Sequence, residues 1–139
     1  MRFQGPQIGE DAPCEYSYEY SLFWRLWREE KFFECHEVLE ELWRRTSGPQ
    51  KWFYAGLINA AVAIYQHRRG NFWGAARQYS RARVKLHPFA PFHDGVNIEE
   101  LLSGVRGEIE PSLRKLSKRQ AEMLAAVEHN VCERMKCDF

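Results

Sequence analysis

Between Pro49 and Ala90 the chain has no aspartate and no glutamate, although seven lysines and arginines fall there. The net charge of +1 hides this gap. Residues 1–48 carry six basic and ten acidic side chains, and residues 91–139 carry seven and nine. Such segregation allows two readings: the basic middle lies against the acidic first third, or it offers a surface to an anionic partner. Cysteine is scarce too. Cys14, Cys35, Cys132 and Cys137 form no Cys-x-x-Cys pair, and the five-residue spacing of the last two suits one helical face poorly, so neither a zinc site nor a disulfide framework is expected. No apolar run reaches the length that crosses a bilayer, and the first sixteen residues lack the apolar core of a secretory signal. The expectation is a cytoplasmic protein with no membrane contact. No segment alternates apolar and polar residues with the period of a half-buried strand. A glycine-rich phosphate loop and a nucleophile elbow are missing as well.

What is present is aromatic and helical. Five tryptophans stand among aromatics that make up 14% of the chain. Trp52–Tyr65, WFYAGLINAAVAIY, has thirteen apolar or glycine residues out of fourteen. A helix apolar on every side belongs inside, and at roughly 21 Å this one is too short for a membrane. It reads as the central helix, about 50–69, of an all-α single-domain bundle of five to six helices. Ala55, Asn59, Ala63 and Gln66 recur along it at helical spacing, a stripe that admits a close neighbour and offers it two amides.

Residues 1–14, with Gly5, Pro6, Gly9 and Pro13, read as an irregular arm; residues 15–116 as the bundle; residues 117–139 as a C-terminal helix packed on it or extending from it. Tyr16, Tyr20, Phe23, Trp24 and Trp27 place an amphipathic helix over 15–28. A second spans 32–45 and a fourth 72–86. Residues 87–95 form an ordered loop, Asn97 caps a helix that ends near Gly107 before Pro111, and Ser117 with Gln120 forms the capping box of the last. KFFECHEVLEELW at 31–43 aligns with NFWGAARQYSRAR at 71–83. This 40-residue offset has the weak character of a tetratricopeptide-type helix pair, and a plain bundle produces the same pattern.

On a wheel of about 100° per residue, Phe32, Phe33, Cys35, Val38, Leu39, Leu42 and Trp43 form one broad arc. His36 falls near its middle, with Glu40 one turn on and Glu37 at the margin. An imidazole and a carboxylate inside an apolar arc must be satisfied by partners, and Tyr54, Asn59, Gln66 and His67 of the central helix are the candidates. The expected role is a buried structural network in an interaction or scaffold module. The alternative uses His36, Glu37 and Glu40 for metal binding or hydrolysis; a divalent ion on His36 and Glu40 is the one cofactor this pattern admits. The spacing falls short of the zinc-protease helix because its second histidine is replaced by Glu40. No catalytic residue is assigned, and the balance falls against an enzyme. A third reading takes Arg68, Arg69, Arg77, Arg81 and Lys85 as a basic patch for nucleic acid. Otherwise the expected partner is another protein or a second copy of the chain.

FFECHEVLEELWR, the Gly48-Pro49 turn, FYAGLINAAVAIYQHRRGN, GAAR and HDGVNIEELL together resemble the domain of unknown function family number 309, a small bacterial and archaeal helical family with no established activity. The likeness runs from about Tyr16 to Arg114. Its mark is a His-Glu-x-x-Glu-x-x-Trp helix, matched by His36, Glu37, Glu40 and Trp43. The resemblance implies an all-helical bundle with His36 and Glu40 facing the central helix, and it supplies no substrate. Tyr54-Ala55 stands where the family often has Gln, and Gln66-His67 where it typically shows Tyr-His. The likeness therefore carries over to His36 more directly than to His67.

Overall fold

The computed structural model describes residues 3–6 and 16–139. Six α-helices in chain order account for most of these: α1 (Tyr18–Arg28), α2 (Phe32–Arg44), α3 (Pro49–Arg68), α4 (Phe72–Leu86), α5 (Ile98–Arg114) and α6 (Lys118–Met135). The protein is all-α. Of the expected arm only residues 3–6 fall among the described ones, and Glu15, the expected start of the first helix, lies outside them. Ser17 caps α1 by accepting from the Tyr20 amide.

The apolar α3 is the centre, as its composition demands. Phe53, Leu57, Ala60, Ala61, Ala63 and Ile64 are fully enclosed. Helices α2 and α4 flank it, α1 packs on α2, and α5 and α6 pack on α4. Gly56 explains the closeness of α4: a Cβ there would stand 2.6 Å from Leu86 Cγ and 3.3 Å from Lys85 Cβ. The stripe read from the sequence is used in this way, with Ala55 and Ala63 buried and Asn59 bonded to α4.

Helix α1 brings Tyr20, Phe23, Trp24 and Trp27 into the core, where their rings meet edge-on or tilted 4.8 to 6.2 Å apart. The Trp27 indole donates to the Phe3 carbonyl at 2.6 Å, and Arg28 donates to that of Pro6, so residues 3–6 are tied to α1.

Two expectations fail. Helix α5 does not end near Gly107; it runs through Pro111 to Arg114. Proline leaves the carbonyl four residues back without its N–H, but here that residue is exposed Gly107, open to water. Beyond the proline, buried Ser112 bonds to α3, and packing outweighs the local penalty. The second concerns strands, of which none was expected. Phe92–His93 (β1) and Val96–Asn97 (β2) pair antiparallel across an Asp94-Gly95 turn. Both turn residues have positive φ, 45° and 77°, as a two-residue hairpin turn that follows strand twist requires. A 3₁₀ turn, His87–Phe89, precedes it.

Candidate functional site

The residues expected to form one polar network are spread over five places. In α2 the buried side chains are Phe32, Cys35, Leu39 and Leu42, so the core direction lies toward Cys35 and Leu39. Phe33, which had pulled the expected arc the other way, is 44% exposed. His36 and Glu40 consequently fall on the rim, with side chains 21% and 35% exposed. They stand 3.8 Å apart, and Glu40 instead meets Arg44 at 3.1 Å. His36 Nδ1 lies 2.5 Å from the Phe33 carbonyl one turn back, and Glu37 is exposed. The buried His36/Glu40 network is therefore not formed: neither residue bonds to Tyr54, Asn59, Gln66 or His67. Among the described residues no three metal-ligating side chains converge.

The α3 candidates turn elsewhere. His67 Nδ1 sits 2.6 Å from Ser112 Oγ of α5. The Gln66 amide oxygen accepts from Asn71, the residue that caps α4. Tyr54 joins a cluster that sequence reasoning missed. There the Gln50 amide accepts from His93 Nε2 at 2.7 Å and donates to Asp94 Oδ2 at 2.6 Å, while Tyr20 donates to the Asp94 carbonyl at 2.6 Å. Burial pushes the Tyr54 phenol up. This cluster fastens the hairpin to α1 and α3. Its one sequence signal was the His-Asp-Gly turn; its partners lie more than forty residues away.

The basic patch divides. Arg68 is paired inside the molecule, with Glu30 at 2.6 Å and Glu108 at 3.1 Å, and Arg69 lies over the Tyr65 ring. Arg77, Arg81 and Lys85 stay together along one half-buried stripe of α4. Among the described residues none of these three pairs with a carboxylate. Arg83, one step off the stripe, does, with Glu128 at 2.5 Å. Arg77 lies over Trp73 with its Nε buried and unpartnered. Burial and the charges of Arg77 and Arg134 lower Arg81.

Lys85 lies deepest. Its Nζ donates to Asn59 Oδ1 at 2.8 Å and stands 5.8 Å from the Trp52 ring centre. The Asn59 amide nitrogen donates to Gln78, which turns its oxygen toward Lys85. Burial, with Arg134 and Arg81, pushes the ammonium down to about 8. Cations crowded this way repel one another and lose hydration, a cost that an anion in their midst would relieve. A cavity of about 590 Å³ also opens between α4 and α6, but its walls take in Arg83, Val84 and His87 rather than the stripe.

Fold and site define a small all-helical domain with a row of three cations on α4, without a carboxylate partner among the described residues, lying between two tryptophans. Residues 20–78 match the family described as domain of unknown function (DUF309), a shorter span than the Tyr16 to Arg114 of the likeness seen in the sequence. The chain is 49% identical over 47 residues to the uncharacterized protein YpuF of Bacillus subtilis (strain 168), which covers 33% of this chain and 27% of that protein. It is 30% identical over 76 residues to an uncharacterized protein of Aquifex aeolicus (strain VF5), 54% of this chain and 23% of that one. The chain thus spans about a quarter of the length of these relatives. No solved structure matches it. No helix is long and apolar enough to cross a membrane among the described residues.

Proposed function

We propose that the domain binds single-stranded nucleic acid along α4. The observation that carries this is the stripe Arg77, Arg81, Lys85: three cations at successive helical turns, half-buried and without a carboxylate partner among the described residues, with Arg134 acting on two of them. Successive members rise roughly 6 Å along the helix, so the row follows a chain of phosphates better than a single anion. Trp73 and Trp52 stand at its two ends, and mixtures of cations and rings bind single strands because every base has a face to stack. The duplex is the less suited partner, since the half-buried row offers no protruding helix to a groove. The test is fluorescence anisotropy of a labelled single-stranded oligonucleotide with the unmodified chain and with Arg77→Glu/Arg81→Glu, whose folding is checked by circular dichroism. Binding lost in the folded variant supports the proposal; equal binding by both refutes it.

A protein partner is the second reading. It is favoured by one observation on another face: exposed Phe33 forms a row with His36 at 5.0 Å and Tyr65 at 5.3 Å.

A further inference from the structure

We infer that the cavity between α4 and α6 is a binding site for an uncharged, flat aromatic molecule that carries a hydrogen-bonding heteroatom. The cavity lies off the cation stripe and does not depend on what binds there.

The space exists because α6 does not close on the bundle along its whole length. Of its 18 residues only Val131 and Met135 are buried, both in the second half of the helix. Ala125 of α6 and Val84 of α4 line the gap, and neither is large enough to fill it. About 590 Å³ is left. That falls within the range of sites that take small molecules and far exceeds the space of one or two ordered waters. The wall is mainly apolar and also includes Met135 and Phe139. Met135 is buried and Phe139 packs edge-on against the core ring of Phe89 at 5.8 Å, so both are anchored. A thioether and a ring make favourable contacts with an aromatic occupant.

The ionic groups of the wall are already paired. Arg83 meets Glu128 at 2.5 Å, and Lys136 meets Glu133 at 2.6 Å. A charged occupant would give up its hydration and find these partners taken, so charge is selected against. What the wall keeps for a polar atom is His87 and His129, both exposed at its edge; His129 reaches Glu133 only at 4.0 Å. A neutral imidazole offers one donor and one acceptor, which suits a single heteroatom on an otherwise apolar molecule. A protein partner or a second copy fits less well. A stable interface takes on the order of 800 Å² from each side, and the apolar wall exposes a small fraction of that. Beyond the cavity α6 exposes Glu122, Asn130, Glu133 and Arg134, with Met123 its one large exposed apolar side chain.

Two dyes serve as probes: N-phenyl-1-naphthylamine, which is uncharged, and 1-anilinonaphthalene-8-sulfonate, the same ring skeleton with a sulfonate added. The full chain is alkylated with iodoacetamide over a range of each dye, and peptide mass spectrometry follows two exposed thiols. Cys132 lines the cavity, and Cys137 does not, so the second is the internal control. The uncharged dye is expected to slow alkylation of Cys132 severalfold and to leave Cys137 unchanged. It should do so at about a tenth of the concentration the sulfonate needs, because the sulfonate is desolvated without a free cation to meet it. Ala125→Trp, at an exposed position, fills the space; it should keep the helical circular dichroism and remove the effect of dye on Cys132. The comparison of the two cysteines in the unmodified chain holds without that variant. Alkylation of Cys132 indifferent to the uncharged dye, or equal protection of both cysteines, overturns the site, as does protection that persists in folded Ala125→Trp. Equal potency of the two dyes at Cys132 overturns the selection for an uncharged occupant.

Discussion

Asn59 Oδ1 accepts from Lys85 Nζ at 2.8 Å while its nitrogen donates to Gln78 at 2.7 Å, so one amide of the central helix links two side chains of α4. It is the kind of polar insertion that an otherwise apolar helix carries only where its partners are in place. The contrast with His36, a polar group on a rim, sets the first prediction.

Asn59→Leu leaves Lys85 and Gln78 without that partner in a half-buried setting, and a loss of about 1–3 kcal/mol is expected. His36→Ala removes a partly exposed side chain whose nearest carboxylate is already engaged by Arg44, and a loss below about 1 kcal/mol is expected. Urea denaturation of both variants checks the order. A larger loss at His36 would mean that the rim pair matters more to the fold than its geometry indicates.

Gly56→Val tests the closeness of α3 and α4. The new side chain would press on Leu86 and the Lys85 stem, which costs about 1–3 kcal/mol if the helices move apart. Thermal melting measures it, and an unchanged midpoint would contradict the packing described.

The pH dependence of stability follows from Lys85. Its folded value of about 8 lies below the ordinary 10.5. Below about 8 both folded and unfolded chains hold the proton, and the cost of burying the ammonium is carried in full. Between about 8 and 10.5 the unfolded chain binds more protons, so stability rises with pH through that window. Subtracting the profile of Lys85→Gln isolates the effect. Parallel profiles for the two chains would contradict the depressed value.

Arg68→Ala should weaken the bundle by less than about 1 kcal/mol, since the pairs it makes are exposed. Its effect on oligonucleotide affinity should be no more than about twofold, because its charge is spent on Glu30 and Glu108. A drop as large as that of Arg81→Glu would show that the binding face extends onto the end of α3.

The bundle was legible because its signals are local. Phe32 and Phe72 open α2 and α4 where the aromatic periodicity begins, and Ser117 with Gln120 forms both bonds of the capping box. The all-round apolar α3 admits no position but the centre. The site was less legible, since its determinants are long-range. The rotation of α2 about its axis depends on which side of a broad arc α3 and α1 choose, and Phe33 tipped the arc toward His36. Arg68 belonged to the basic run until Glu30 and Glu108, from distant segments, came to meet it. The His93–Gln50–Asp94 cluster exists only once the hairpin folds back on α3. The acid-free middle pointed to Arg77, Arg81 and Lys85, and did so because a gap in charge along a chain needs no tertiary knowledge to be seen.

The most direct measurement is the affinity for a single-stranded oligonucleotide as a function of salt. Three to four neutralised phosphates give log K against log salt a slope of about −2 to −3, at roughly −0.7 per contact. The unmodified chain should show that slope, and Arg77→Gln/Arg81→Gln one shallower by about 1.4. Binding that ignores salt, or the same slope in both proteins, would contradict it.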